Sequence, residues 1–378
     1  MDKVYSDSLA LHKTHGGKLE IKSKVPIKDR MDLSLAYTPG VGQVSIEIGR
    51  DKALSYDYTI KKNTVAVVSD GSAILGLGNL GAHAAIPVME GKAILFKEFA
   101  GLDAFPICLD TQDTEEIIRT VKSIAPVFGG INLEDISAPR CFEIEKRLKN
   151  ELDIPVLHDD QHGTATVVLA ALINSLKLKG AKKEEINIVV NGAGAAGTAV
   201  SKLLIKYGFK NLIICDSKGA IYKGRADLNS PKNELAEITN LHRRAGNLSE
   251  CISGADIFIG VSKANVLSPK MIKLMNKKPI IFALANPVPE IMPDVAKEAG
   301  AFIIATGRSD FPNQLNNVLA FPGIFRGALD NRVRRITDEM LLKAAQSLAD
   351  YVSDLSPEKI LSNVFDKGVV SVVSKAII

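Results

Sequence analysis

The sequence predicts an α/β protein built on helix-covered parallel sheets, and three observations predict it. First, short β-rich runs at 186–190, 211–215, 256–260, 280–284 and 302–305 alternate with helical stretches through the second half. Second, the stretch from residue 65 repeats strand, loop and helix in the same way. Third, the run INIVVNGAGAAG passes from a strand through a glycine loop into an amphipathic segment where Val200, Leu203 and Leu204 share one helical face. Strands that alternate with helices form a mainly parallel, doubly wound sheet. The second half therefore reads as a Rossmann-type sheet, joined to a smaller N-terminal α/β unit.

In chain order, residues 1–60 read as lysine-rich and irregular, with a loop at Tyr37-Thr38-Pro39-Gly40-Val41-Gly42. The runs VAVV (65–68), AILF (93–96), FPICL (105–109) and PVFGGI (126–131) read as strands, and 114–124 as a helix. Ser137 is placed to cap a further helix, with Pro139 in its first turn and Cys141, Ile144 and Leu148 at helical spacing. A helix over 161–177 bridges the two units, which gives domains of 1–160 and 161–378. Beyond Gly323 the segments 336–352 and 364–378 read as helices that pack back across both units.

Composition narrows the function. The chain has 378 residues, a net charge of +4 and 24% charged side chains that are dispersed rather than clustered, which argues against nucleic acid as a partner. No apolar window reaches the roughly eighteen residues a membrane span needs. The N-terminus lacks a signal-peptide core, and the four cysteines lack metal-type spacing. Reduced cysteines in a cytoplasmic protein follow.

The glycine loop carries the most specific chemistry. Gly192, Gly194 and Gly197, with Ala193, Ala195 and Ala196 between them, follow a strand and open a helix. The first glycine permits the tight turn, the second lets backbone approach a pyrophosphate, and the third lets helix and strand pack closely. Asp216 ends the next strand, where an acid hydrogen-bonds the adenosine ribose 2′-OH and favours NAD. Lys218, Lys223 and Arg225 stand close enough to admit NADP instead. A second glycine run, Gly76, Gly78 and Gly81, is a decoy: it starts late after its strand, and Pro87 interrupts the helix that should follow. It reads as a tight loop lining a cleft.

Acids lie at two strand ends, Glu134-Asp135 after PVFGGINL and Asp159-Asp160 after IPVL. Ligands collect beyond the carboxyl ends of parallel strands. Carboxylates brought about 4–5 Å apart there repel by on the order of 3–4 kcal/mol per pair, so such a cluster calls for a hard cation, Mg²⁺ or Mn²⁺. Helix capping explains the same acids equally well. His158 and His162 have zinc-like spacing but no third ligand nearby. Lys92 sits beside the apolar run AILF, where partial burial would lower its pKa toward base duty. Tyr37 lies in a loop that can face a cleft, and Asn286 and Asn317 follow or precede strand-end turns.

These segments together resemble the malic enzyme family in its short prokaryotic form. The resemblance rests on YTPGVG (37–42), SDGSAILGLGNLG (69–81), PVMEGKAILFKEFAG (87–101), GGINLEDI (129–136), PVLHDDQHGTA (155–165), NGAGAAG (191–197), CDSKG (215–219), NPVPE (286–290) and NNVLAFPGIF (316–325). It implies oxidative decarboxylation of malate to pyruvate and CO₂ with NAD or NADP and Mg²⁺ or Mn²⁺, decarboxylation of oxaloacetate as well, and a homodimer. It implies Glu134, Asp135 and Asp160 as metal ligands, Lys92 as general base, Tyr37 as general acid, and Asn286 and Asn317 as substrate contacts, with Asn286 also near the cofactor. One departure stands out. Larger relatives carry an Arg just after SDG, where this chain has Ser72-Ala73. A malolactic relative that retains NAD, a non-catalytic NAD-sensing module and a metal-free amino-acid dehydrogenase are the competing readings.

Overall fold

A computed structural model describes residues 2–378. The first sheet contains β1 (Thr64–Ser69), β2 (Asp103–Cys108), β3 (Gly130–Leu133) and β4 (Val156–His158), all parallel, in the order β2-β1-β3-β4. β1 reads TVAVVS and is buried at every position, as a central strand covered on both faces must be. The second sheet contains β5 (Asn187–Asn191), β6 (Asn211–Asp216), β7 (Gly219–Ala220), β8 (Ile257–Gly260), β9 (Ile280–Ala283) and β10 (Ile303–Thr306). Its order is β10-β9-β8-β5-β6-β7, parallel except for the two-residue β7. The chain reverses direction across the sheet between β5 and β8, the place where a doubly wound sheet opens a ligand crevice.

The helix Asp159–Lys179 links the two sheets. Nearly every side chain from Ala165 to Leu176 is buried, so it is apolar all round rather than striped. Gly180 closes it in the left-handed conformation (φ 70°). The C-terminal helices Phe321–Asp330, Asp338–Asp350 and Gly368–Ser374 do pack back. Phe321 and Phe325 stack edge-on against Phe96 near the first sheet, at 4.7 and 5.4 Å between centroids. Asn174 of the linking helix donates to the carbonyls of Ala349 and Ile360.

Several expectations need correction. AILF is not a strand; it belongs to one helix, Ala82–Ala100, that runs through Pro87 and Gly91. A four-residue apolar run cannot tell a strand from a buried helix. Here Ala85, Met89 and Phe96 bury the helix strongly enough to override the proline. PVFGGI begins as a 3-10 turn at Ala125–Val127, and the strand starts only at Gly130. Ser137 does not cap the following helix, which begins at Arg140 with Pro139 at the cap and no side-chain capping bond. Residues before β1 are not irregular either: they form helices at Asp2–His15, Arg30–Ala36, Gly40–Arg50 and Ser55–Tyr58. All four cysteines are free thiols. No helix among the described residues is long and apolar enough to cross a membrane.

Candidate active site

In the glycine loop, Gly192 makes a tight turn and Gly197 packs helix closely against strand. Gly192 takes φ +124°, and a Cβ there would meet Val261 O at 2.5 Å, so the loop lies hard against the end of β8. A Cβ on Gly197 would fall 1.7 Å from Gly192 O; only glycine lets the helix Ala195–Tyr207 start this close to β5. Gly194 faces open space, and as the helix cap it leaves the first N–H groups without a side-chain partner. Ala195 packs against the core of the first sheet, so the loop lies where the two sheets meet.

Asp216 is less free than a plain ribose acceptor. Its Oδ2 accepts from Arg225 at 2.7 Å and Lys232 at 2.6 Å, and its Oδ1 accepts from the Lys218 amide at 2.9 Å. Burial pushes this carboxyl up, but the Arg225 and Lys232 bonds outweigh it and hold it at about 2. Lys232 went unnoticed in the sequence because sixteen residues and a turn separate it from Asp216.

Beyond the ends of β3 and β4 lies a buried ionic cluster. Lys92 Nζ donates to Asp159 Oδ2 at 2.6 Å and stands 2.9 Å from Glu134 Oε1, with the Phe321 ring 4.2 Å away. The Asp135 amide donates to Asp160 Oδ2 at 2.8 Å, and Asn132 Nδ2 donates to Glu134 Oε2 at 2.8 Å. Burial alone would push Lys92 down, but Asp159 and Glu134 together outweigh it and hold the ammonium above its ordinary range. This corrects the expectation of a lowered lysine. Its neighbours are two carboxylates, not only the apolar run.

The carboxylates shift the other way. Burial, then Asp160, Asp159 and Asp135, push Glu134 well up against the pull of Lys92. Burial and Asp160 push Asp135 up to about 7. Asp135 Oδ2 and Asp159 Oδ1 are buried without a hydrogen-bond partner. That crowding and those orphaned oxygens fit a hard divalent cation. Among the described residues, however, no three His, Cys, Asp or Glu side chains stand arranged as a formed metal site. Glu134 turns to Lys92, and Asp160 turns to the Asp135 amide.

The glycine residues around the cluster explain how it closes. A Cβ on Gly163 would collide with Asp159 Oδ1 at 1.8 Å and touch Asn317 at 3.2 Å, which places Asn317 beside Asp159. The decoy loop indeed lines the cleft: the Leu75 amide points at Asp135 Oδ1 (3.4 Å), and Gly76 backs onto Asn286 O. Glu290 is fully buried and accepts from the Ser262 and Ala285 amides, both at 3.0 Å. It thus ties the crevice beside Gly192 to the Asn286 turn, a function that nothing in NPVPE announced. Behind the cluster, Glu145 gathers the His158 backbone amide (2.9 Å), the His162 ring (2.9 Å) and Lys149 (2.8 Å), while the His158 ring is buried with neither nitrogen hydrogen-bonded. Tyr37 stands apart. It is 66% exposed, and among the described residues its side chain has no hydrogen bond or ring contact to the cluster.

A glycine loop at the switch point of a doubly wound sheet, linked through Glu290 and Asn286 to a buried lysine and carboxylate cluster, defines a two-domain nicotinamide-linked oxidoreductase. Comparison with known proteins specifies the class. Residues 16–149 match the malic enzyme N-terminal domain, and residues 161–373 match the malic enzyme NAD-binding domain. A bifunctional malic/malolactic enzyme of Bacillus subtilis is 57% identical over 98% of this chain and 91% of its own. An NAD-dependent malic enzyme of Geobacillus stearothermophilus is 58% identical over 96% of this chain and 76% of its own. The crystal structure of the Thermotoga maritima NAD-dependent malic enzyme superposes with a TM-score of 0.95 at 53% identity, covering 98% of each chain. The chain belongs to the malic enzyme family.

Proposed function

We propose that this protein catalyses the oxidative decarboxylation of malate to pyruvate and CO₂ with reduction of NAD. Residues 1–160 carry the substrate and cation, and residues 161–378 carry the dinucleotide. The observation that carries the reading is Lys92, buried between Asp159 and Glu134 beside Asp135 and Asp160.

Glu134, Asp135 and Asp160 would hold Mg²⁺ or Mn²⁺, whose charge would polarise the substrate's C2 oxygen. The bound nicotinamide would accept the C2 hydride. Lys92 takes the proton of the C2 hydroxyl while passing its own to Asp159, whose carboxyl burial pushes up against the pull of Lys92. Asn317, beside Asp159, and Asn286, beside the Gly76 loop, orient the substrate carboxylates. Tyr37 protonates C3 of the enolate left by loss of CO₂. The protein works as a homodimer, and in the cytoplasm, where its free thiols stay reduced.

A malate assay that follows reduced-cofactor absorbance tests this, with NAD and NADP each tried with and without Mn²⁺. NADH should appear only when malate, NAD and metal are all present. Turnover unaffected by chelator would sink the metal assignment. The Bacillus subtilis relative's name supports a second reading, a malolactic activity. Lactate formed without free NADH would select it.

A further inference from the structure

We infer that His158 is a positioning residue, whose ring N–H holds Asp160 Oδ2 and so leaves Oδ1 to the cation. This role rests on the reading of Asp160 as a cation ligand.

The pair His158 and His162 separates in the fold. The His162 ring serves Glu145, and the His158 ring is left over. His158 is fully buried, and neither Nδ1 nor Nε2 has a hydrogen-bond partner. Buried polar side-chain atoms are paired in the large majority of cases, so two orphans on one ring call for an explanation. Filling the core does not supply one, because Phe or Leu would fill the same space without stranding a polar atom. Asp160 Oδ2 stands 3.7 Å from Nε2, just outside hydrogen-bond range. Closing that gap takes a movement of about 0.8 Å. Burial keeps the ring neutral against the pull of Asp160 and Glu145. A neutral imidazole has one N–H to place, so a single acceptor at Nε2 satisfies its donor.

The two partners differ in their freedom to make that movement. His158 ends β4, level with Leu133 of β3 and so beside the strand end that carries Glu134. Its backbone amide donates to Glu145 Oε1 (2.9 Å), and the same carboxylate is held by His162 (2.9 Å), Lys149 (2.8 Å) and Gln161 (3.3 Å). The ring therefore rides on a pinned strand end. Asp160 lies in the first turn of the linking helix, with its side chain 31% exposed. It is the carboxylate that moves to the ring.

The hydrogen bonds of Asp160 show what this achieves. Oδ2 already accepts from the Asp135 amide (2.8 Å), whereas Oδ1 accepts no hydrogen bond among the described residues. The Asp135 amide alone is a poor guide, since it belongs to another of the cation's ligands and shifts with it. A second donor from a fixed strand end sets the carboxylate's rotation independently. Ligating carboxylates in built metal sites are themselves hydrogen-bonded in this way.

Mn²⁺ binding tests this, read from the EPR signal of the free ion as the protein is titrated without malate or dinucleotide. His158→Phe fills the ring's space without a donor and should weaken Mn²⁺ by about tenfold to a hundredfold. His158→Gln sets an amide N–H near the place of Nε2 and should keep most of the affinity. His158→Asn sets its N–H near Nδ1 and should lose as much as Phe does. A side chain that merely fills the core predicts otherwise: Phe would bind as the wild type does, and Gln and Asn would bind alike. Wild-type affinity in His158→Phe, or equal affinity in the Gln and Asn variants, would overturn the role of His158 and leave the cation site standing. The contrast between Gln and Asn decides the matter even where the Phe variant does not fold. Wild-type protein that takes up no Mn²⁺ would instead sink the reading of Glu134, Asp135 and Asp160 as ligands, and this role with it.

Discussion

Lys92 is a charged group in a dry place, and its function follows from the company it keeps. With Asp159 and Glu134 both within 2.9 Å it holds its proton, so it can act as a base only by handing that proton on. Lys92→Ala should lower turnover at least about 10²-fold while NADH binding, followed by fluorescence titration, is kept. Glu145 is the structural counterpart. Burial pushes its carboxyl up, but His162 and Lys149 outweigh that and hold it below the ordinary range. A depressed folded pKa stabilises above the unfolded value, about 4.3, and that stability is lost as pH falls below it. Glu145→Gln should therefore cost about 3 kcal/mol in urea unfolding near pH 7, with the gap to wild type closing as pH drops below about 4. Asp216 offers a third test. With Arg225 and Lys232 already bound to its Oδ2, removing it frees two cations for a 2′-phosphate. Asp216→Ala should shift the NAD-to-NADP ratio of kcat/KM toward NADP by roughly tenfold, about 1.4 kcal/mol. An unmoved ratio would place the coenzyme choice elsewhere.

Among the elements, the glycine loop separates folding from binding. Gly197→Ala puts a methyl 1.7 Å from Gly192 O, so helix and strand must part. It should lower the thermal midpoint and weaken NAD binding together. Gly194→Ala meets no atom within 4 Å. It should leave the midpoint in place and weaken NAD alone, by calorimetry roughly tenfold or more, because the methyl occupies the pyrophosphate's approach. The helix Ala82–Ala100 shows the limit of local reading at this scale. Proline and glycine inside it argue for a break, and AILF argues for a strand, yet burial of Ala85, Met89 and Phe96 carries the helix through. That helix is what brings Lys92 to the cluster.

In the whole molecule, the N-terminal segment before Lys61 and the leucines of the Gly76 loop are where large apolar side chains stand exposed, Leu75, Leu77 and Leu80 among them. Addition of Mn²⁺ to the wild type should raise the thermal midpoint, since a ligand bound only by the folded state stabilises it by mass action. Glu134→Gln should blunt that rise.

By itself the sequence determined the parts whose physics is local. Strand-glycine-helix spacing sets the dinucleotide loop, and the strands of the second sheet lie within a residue or so of their apolar runs. Acids at strand ends announced a charged cleft. Only the tertiary structure decided that Asp159 pairs with Lys92, that Lys232 reaches Asp216, that Glu290 joins two turns, and that Tyr37 stands exposed. The first three are contacts between segments separated in the chain, and the last is a matter of exposure. Neither leaves a periodicity for a sequence to show.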